Sequence, residues 1–280
     1  MLWLLYLSTQ CVSLQLDTFN SICLRFLSPP RFQLKMGLTE RIKSIFAELD
    51  HLGSQIIYYG KEAGGRLTFP FHPEKETVLL THGYGARGRS LEYIATKLYE
   101  QQFNVIPIYY WFLGDLEKVG LRMVKTIRQY HQRQDSPRKL HLVAHSMGGL
   151  ITCDASRIVP ELVATATFLG TPFGGTQKAR LGIGKSAEQL LPGSAYLQRL
   201  LEDGLPEEIK YTVVQGTRDE VVSEERSRLP LEQENITHYR IATGHLGLAG
   251  KKGYKVVKLA LAGGEKSQID LDQIHHGPGN

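Results

Sequence analysis

Short strand-like runs, most of them apolar at nearly every position, alternate with segments of helical spacing from Val78 to Leu261. No other feature of the chain constrains its fold as tightly. The runs are Val78–Leu80, Asn104–Tyr110, Leu140–Ala144, Leu162–Leu169, Tyr211–Val214 and Thr237–Ile241. A strand with one wet face alternates apolar and polar residues. One that is apolar throughout is buried on both faces, as in a parallel sheet covered above and below by helices. Helical spacing appears over Leu91–Leu98, Leu150–Arg157 and Tyr254–Leu261. Leu116, Val119, Met123, Ile127 and Tyr130, at steps of three and four, predict a helix over Asp115–His131. The chain therefore reads as one α/β domain over 36–262, its pattern clear from about residue 50. The stretch between the strand ending near Leu169 and the strand starting near Lys210 is long for a connection. Its helical spacing over Ser186–Leu201 breaks at Pro192-Gly193, so an insertion is expected over about 173–208.

In such sheets ligands bind beyond the carboxyl ends of the strands, and functional residues are expected there. Ala144-His145-Ser146-Met147-Gly148-Gly149 lies where a strand runs into a helix. A serine hydroxyl is a poor nucleophile and has to be presented on a tight turn. Small residues two before and two after it let that turn close, and the following helix aims its amino terminus at a developing oxyanion. A nucleophilic serine needs a histidine base, and the base needs an acid to orient it. His245, in the loop after the last strand, is the candidate base, while His238 lies inside the strand pattern and reads as structural. The side chain of His145, beside the nucleophile, is expected to point away. Asp219, in the loop after the preceding strand, is the candidate acid, with the adjacent Glu220 its competitor. The order Ser146, Asp219, His245 differs from the orders of both serine protease families.

Together, four segments resemble the α/β-hydrolase superfamily, in its lipase and carboxylesterase-like group of serine hydrolases. They are Thr81-His82-Gly83-Tyr84-Gly85, the turn around Ser146, Leu169-Gly170-Thr171-Pro172-Phe173-Gly174-Gly175, and the loops carrying Asp219 and His245. The turn begins with Ala144, where glycine is commoner, as in the small Bacillus lipases. The resemblance implies an α/β-hydrolase fold with a mostly parallel central sheet and helices on both faces, a small cap made by the insertion over about 173–208, and ester cleavage through a Ser-His-Asp triad and an acyl-enzyme. It implies that His82 and Gly83 form the oxyanion loop and that the backbone N–H groups of Tyr84 and Met147 hold the oxyanion. Gly83 and Gly85 would let that backbone turn its amides inward. Tyr110, Trp111 and Phe112, after another strand's carboxyl end, are candidates for a substrate pocket. No cofactor or metal is expected. The same constellation would serve an acyltransferase, a thioesterase or a phospholipase, the last two through Arg87 and Arg89 beside the oxyanion loop. It would also fit a weakly catalytic ligand-binding homologue.

Composition narrows the partners. The chain has 280 residues, 42% of them hydrophobic and 22% charged, enough for a sizeable core. Its net charge of +5 is spread without a run of five or six like charges, so it reads as a solvated surface and not a nucleic-acid footprint. A small-molecule or lipid ester, with transient contact to a lipid surface, is the expected partner, and no obligate protein partner is inferred. Cys11, Cys23 and Cys153 form no CxxC or Cys/His cluster, which excludes a disulfide scaffold and a metal site of that kind. Residues 1–35 read as an extension. Leu2–Leu7 is apolar, but the first base is Arg25, unlike the cationic start of a secretory signal. A start at Met36, opening an amphipathic helix, would favour the cytoplasm; a targeting role for 1–35 would favour secretion or an organelle. Residues 263–280, with His275-His276 among Gly and Pro, read as a flexible tail.

Overall fold

The structure, a computed structural model, describes residues 66–86, 89–136, 138–202 and 204–263, which belong to one compact unit. The expectations for residues 1–35, for the helix opening at Met36, for Arg87 and for the tail beyond Gly263 lie outside the described residues.

Six strands form one sheet: β1 (Thr77–Thr81), β2 (Asn104–Ile108), β3 (Leu140–His145), β4 (Val163–Leu169), β5 (Lys210–Gly216) and β6 (Ile236–Ile241). Their order is β2-β1-β3-β4-β5-β6, and every neighbouring pair is parallel. The chain leaves β1 towards β2, then returns past β1 to β3 and continues outward. The order thus reverses at β1, and the crevice such a reversal opens lies at the carboxyl ends of β1 and β3. Pro107, which cannot donate to a ladder, sits on β2, the outermost described strand on that side.

Successive strand residues feed two separate cores. Leu79, Leu142, Phe168 and Val213 face one side, where they pack with helices α2 (Leu116–Gln132) and α3 (Met147–Ile158). Val78, Leu80, Val143, Leu169 and Val214 face the other, against α1 (Glu92–Glu100) and a carboxyl-terminal helix over Lys251–Leu261. Burying both parities is why β1, β3 and β4 are buried at nearly every position, whereas the edge strand β6 is only partly buried. Each fully buried Leu or Val contributes roughly 1.5–3 kcal/mol.

Helix α2 starts where Asp115 Oδ1 accepts the Glu117 N–H at 3.1 Å, an N-cap worth about 1 kcal/mol. Its buried stripe holds Leu116, Val119, Met123 and Ile127 as predicted, with Gly120 and Val124 added, while Tyr130 is only partly buried. At Gly120 a Cβ would come within 2.8 Å of the Asp154 carboxylate, so a larger residue in α2 would have to displace that side chain of α3. The insertion after β4 holds a 3₁₀ turn over Gln177–Leu181, then α4 (Gly184–Gln189) and α5 (Ala195–Glu202). The two helices are separated at Pro192-Gly193, where Gly193 has φ +76°. A short helix, α6 (Glu224–Ser227), precedes β6, and the helix over Lys251–Leu261 is α7. No helix among the described residues is long and apolar enough to cross a membrane.

Candidate active site

Ser146 links β3 to α3 with φ 56° and ψ −131°, one of two non-glycine residues at positive φ among those described. Such a conformation costs a non-glycine residue about 1–3 kcal/mol and persists only where its surroundings enforce it. Here they do. The Ser146 N–H donates to the Leu169 carbonyl at 2.9 Å, and the Gly149 N–H donates to the Ser146 carbonyl at 2.9 Å. At Gly148 a Cβ would lie 2.3 Å from the His82 carbonyl oxygen, so only glycine lets α3 start this close to the end of β1. Gly83 would place a Cβ 2.8 Å from Ser146 Cβ, which brings the loop after β1 directly against the serine. The register Thr81↔Ala144 makes this approach possible, because β1 and β3 end side by side.

The loops after β5 and β6 bring Asp219 and His245 together. Asp219 Oδ1 accepts the N–H groups of Val221 and Val222 at 2.9 and 2.8 Å. Its Oδ2 accepts Nδ1–H of His245 at 2.6 Å. The Asp219 side chain is fully buried and that of His245 is 5% exposed, so this pair is little screened. With its Nδ1 proton committed to the carboxylate, the neutral ring carries its lone pair on Nε2. Glu220 does something different: its Oε2 accepts the backbone N–H of His245 at 3.3 Å.

His145 points towards the base, contrary to the expectation that it points away. Its Nε2–H donates to the His245 carbonyl at 3.0 Å, and the two rings pack 4.7 Å apart. The reason is strand parity. His145 shares a face with Val143, and that face packs against Leu248 and Ala249, just beyond His245. The parity was readable in the sequence; where the β6 loop lies was not. Among the described residues no hydrogen bond joins Ser146 Oγ to the His245 ring. Contacts of this kind often tighten only when substrate binds.

His82 and Gly83 form the turn beside Ser146. The His82 ring stacks on Tyr110 at 4.2 Å and 7°, and its Nδ1–H donates to the Gly83 carbonyl at 2.9 Å. The Tyr110 hydroxyl donates to the His82 carbonyl. Tyr110 thus props the loop after β1. Phe112 is buried edge-on to Tyr84 at 5.1 Å, whereas Trp111 is 61% exposed. Met147 is the first residue of α3, where an N–H has no acceptor within its helix. Arg89 pairs with Glu92 at 2.9 Å. Among the described residues no group of three or more His, Cys, Asp or Glu could hold a metal ion.

Burial sets the charge of the two supporting histidines. It pushes His145 down to about 3, helped by the neighbouring His245, and His82 down to about 4 against the opposing bond to Gly83. Both are neutral in the folded protein at pH values where the unfolded chain already binds a proton. Stability held above pH 6.5 is therefore lost as pH falls towards 4, at about 1 kcal/mol per pH unit for each. Denaturant unfolding at pH 7 and pH 5 is expected to show this loss. His82→Gln, which cannot titrate, should flatten the slope.

Residues 72–168 match the model of a family described as "Putative serine esterase (DUF676)". The matched segment carries His82, Gly83, Tyr84 and Ser146 but ends before Asp219 and His245, and it supports a serine hydrolase. Among solved structures, the chain is similar to mature Bacillus licheniformis lipase BlEst2, at 18% identity with TM-score 0.56, covering 70% of this chain and 96% of that one. It is also similar to Aspergillus fumigatus lipase B, at 16% identity with TM-score 0.64, covering 75% of this chain and 59% of the other. No curated protein matches the chain. At these identities the likeness establishes the fold, which is that of the α/β-hydrolases.

Proposed function

We propose that the protein hydrolyses carboxylic esters with Ser146 as nucleophile, His245 as general base and Asp219 as the residue that orients it. The observation that carries this reading is the strained backbone of Ser146 at the end of β3, combined with a buried carboxylate 2.6 Å from His245 Nδ1. A serine held at φ 56° is presented on the sheet's carboxyl rim at a cost that ordinary packing does not require.

In the first step His245 Nε2 takes the proton of Ser146 Oγ as the oxygen bonds to the ester carbonyl carbon. The carbonyl π electrons move onto oxygen, and the N–H groups of Met147 and Tyr84 receive that charge. One such donor is worth about 2.7–4 kcal/mol in the transition state. Asp219 steadies the imidazolium without taking its proton. The tetrahedral centre then collapses, the C–O bond to the alcohol breaks, and the alkoxide leaves with the proton from His245. Water attacks the acyl-enzyme in the same way, giving the acid and restoring Ser146.

Apolar esters suit the surroundings. Trp111 and Leu246, exposed at 61% and 49%, follow the carboxyl ends of β2 and β6, and Leu181, 48% exposed, lies on the insertion after β4. The test is a series of p-nitrophenyl esters with the purified protein, run with and without added alcohol. Release of free acid at a rate insensitive to alcohol supports a hydrolase. Partition of the acyl group to the alcohol would favour a transferase, and no turnover would favour a binding protein.

A further inference from the structure

Tyr84 belongs to the loop after β1 through its backbone and to the insertion after β4 through its side chain. Its hydroxyl donates to the Ile183 carbonyl at 2.8 Å and accepts the Ile183 N–H at 2.8 Å, so one phenol satisfies both main-chain groups of one residue. The residues flanking Ile183 are glycines with no room for a side chain. A Cβ on Gly182 would lie 2.9 Å from Ala187 Cβ and 3.1 Å from Tyr84 Oη. One on Gly184, at φ +84°, would lie 2.5 Å from the Leu113 carbonyl. Beyond this strap the insertion is fastened to the loop after β2. Lys185 N–H donates to the Leu113 carbonyl at 3.0 Å, and Ser186 Oγ donates to that of Phe112 at 2.5 Å. The Gln189 amide bonds to Leu116 N–H at 2.8 Å and to Asp115 at 3.0 Å. The strap is therefore fixed at its far end by α4 and held to the loop beside Ser146 by the Tyr84 hydroxyl.

We infer that Tyr84 is a positioning residue that sets which acyl groups the site admits, by tying the Gly182–Gly184 strap to the loop whose Gly83 abuts Ser146. The inference rests on the ester-hydrolase reading. On that reading, an acyl group on Ser146 with its carbonyl oxygen at the Tyr84 amide would start beside Gly83, and a long chain would meet the strap that Tyr84 holds as a wall. Long chains need that wall to yield, and the two bonds to Ile183 oppose it.

Tyr84→Phe keeps the ring, its packing on Phe112 and the backbone amide, and removes both bonds. It should raise the ratio of kcat/KM for p-nitrophenyl octanoate over butyrate about tenfold, the size two ordinary net hydrogen bonds permit, chiefly through KM. Gly182→Ala pushes the strap off the same hydroxyl and should move the ratio the same way, which keeps the test open if Tyr84→Phe fails to fold. A ratio within twofold of the parent in both variants overturns the inference. A second arm needs no turnover. In the Ser146→Ala background, hydrogen exchange at the Ile183 amide should speed up about tenfold on Tyr84→Phe. Unchanged exchange overturns the clamp itself. If the parent cleaves no ester in the series, the ester reading has failed, and the exchange arm alone decides whether the phenol holds the strap.

Discussion

Ser146→Ala is expected to lower kcat for ester hydrolysis by about a millionfold while leaving a folded protein. The activity is lost because no other hydroxyl is held on this turn; the fold survives because the backbone bonds of Ser146 to Leu169 and Gly149 need no side chain. The same position makes a stability prediction that separates presentation from chemistry. Alanine at φ 56° and ψ −131° inherits the strain, but glycine adopts that conformation freely. Ser146→Gly should therefore melt above Ser146→Ala by about 3 °C, corresponding to about 1 kcal/mol for a domain of this size. Equal activity of parent and Ser146→Ala would remove the serine from the mechanism. A glycine variant less stable than the alanine variant would remove the strain argument.

Asp219→Asn is expected to cost about 10⁴ in kcat, on the pattern of serine proteases in which the orienting carboxylate becomes an amide. An amide NH₂ facing His245 cannot accept the Nδ1 proton, so the ring turns over its tautomer and presents a donor to Ser146. The loop itself should survive this change, because the asparagine oxygen can still accept from Val221 and Val222. Asp219→Ala loses that as well. It leaves two N–H groups without their acceptor, at about 1–3 kcal/mol each where they stay buried, so its melting temperature should drop where that of Asp219→Asn does not. Steady-state kinetics and thermal melts on the two variants test both halves. An Asp219→Asn enzyme within tenfold of the parent would mean that the carboxylate does not orient the base.

The inner strands of the sheet were legible because two-faced burial leaves a mark on nearly every residue of such a strand. Val78–Leu80 and Leu140–Ala144 have no polar position facing water, and their neighbours in sequence close them off. Helix α2 was legible from its spacing, and the structure adds the cap at Asp115 just before it. The break at Pro192-Gly193 likewise separates two helices. Legibility ended where a loop's path decides the outcome. Asp219 and Glu220 are adjacent carboxylates, and nothing in their order says that one reaches the ring of His245 and the other its backbone. His145 was expected to point away, and its actual partner, the His245 carbonyl, depends on where the loop after β6 returns. Tyr110 follows a strand's carboxyl end as a pocket residue would, yet it stacks on His82 and bonds to that residue's carbonyl. The bond between Tyr84 and Ile183 joins residues 99 apart, beyond any local pattern.

The most direct test is chemical labelling of the folded protein with a fluorophosphonate, which reports an activated serine without assuming a substrate. Peptide mass analysis should place a single phosphonyl group on Ser146. The label should be absent from Ser146→Ala and slowed at least a hundredfold in His245→Ala, the lower end of what a positioned base contributes. A folded protein that takes no label, or takes it on another serine at the same rate in both variants, contradicts the account.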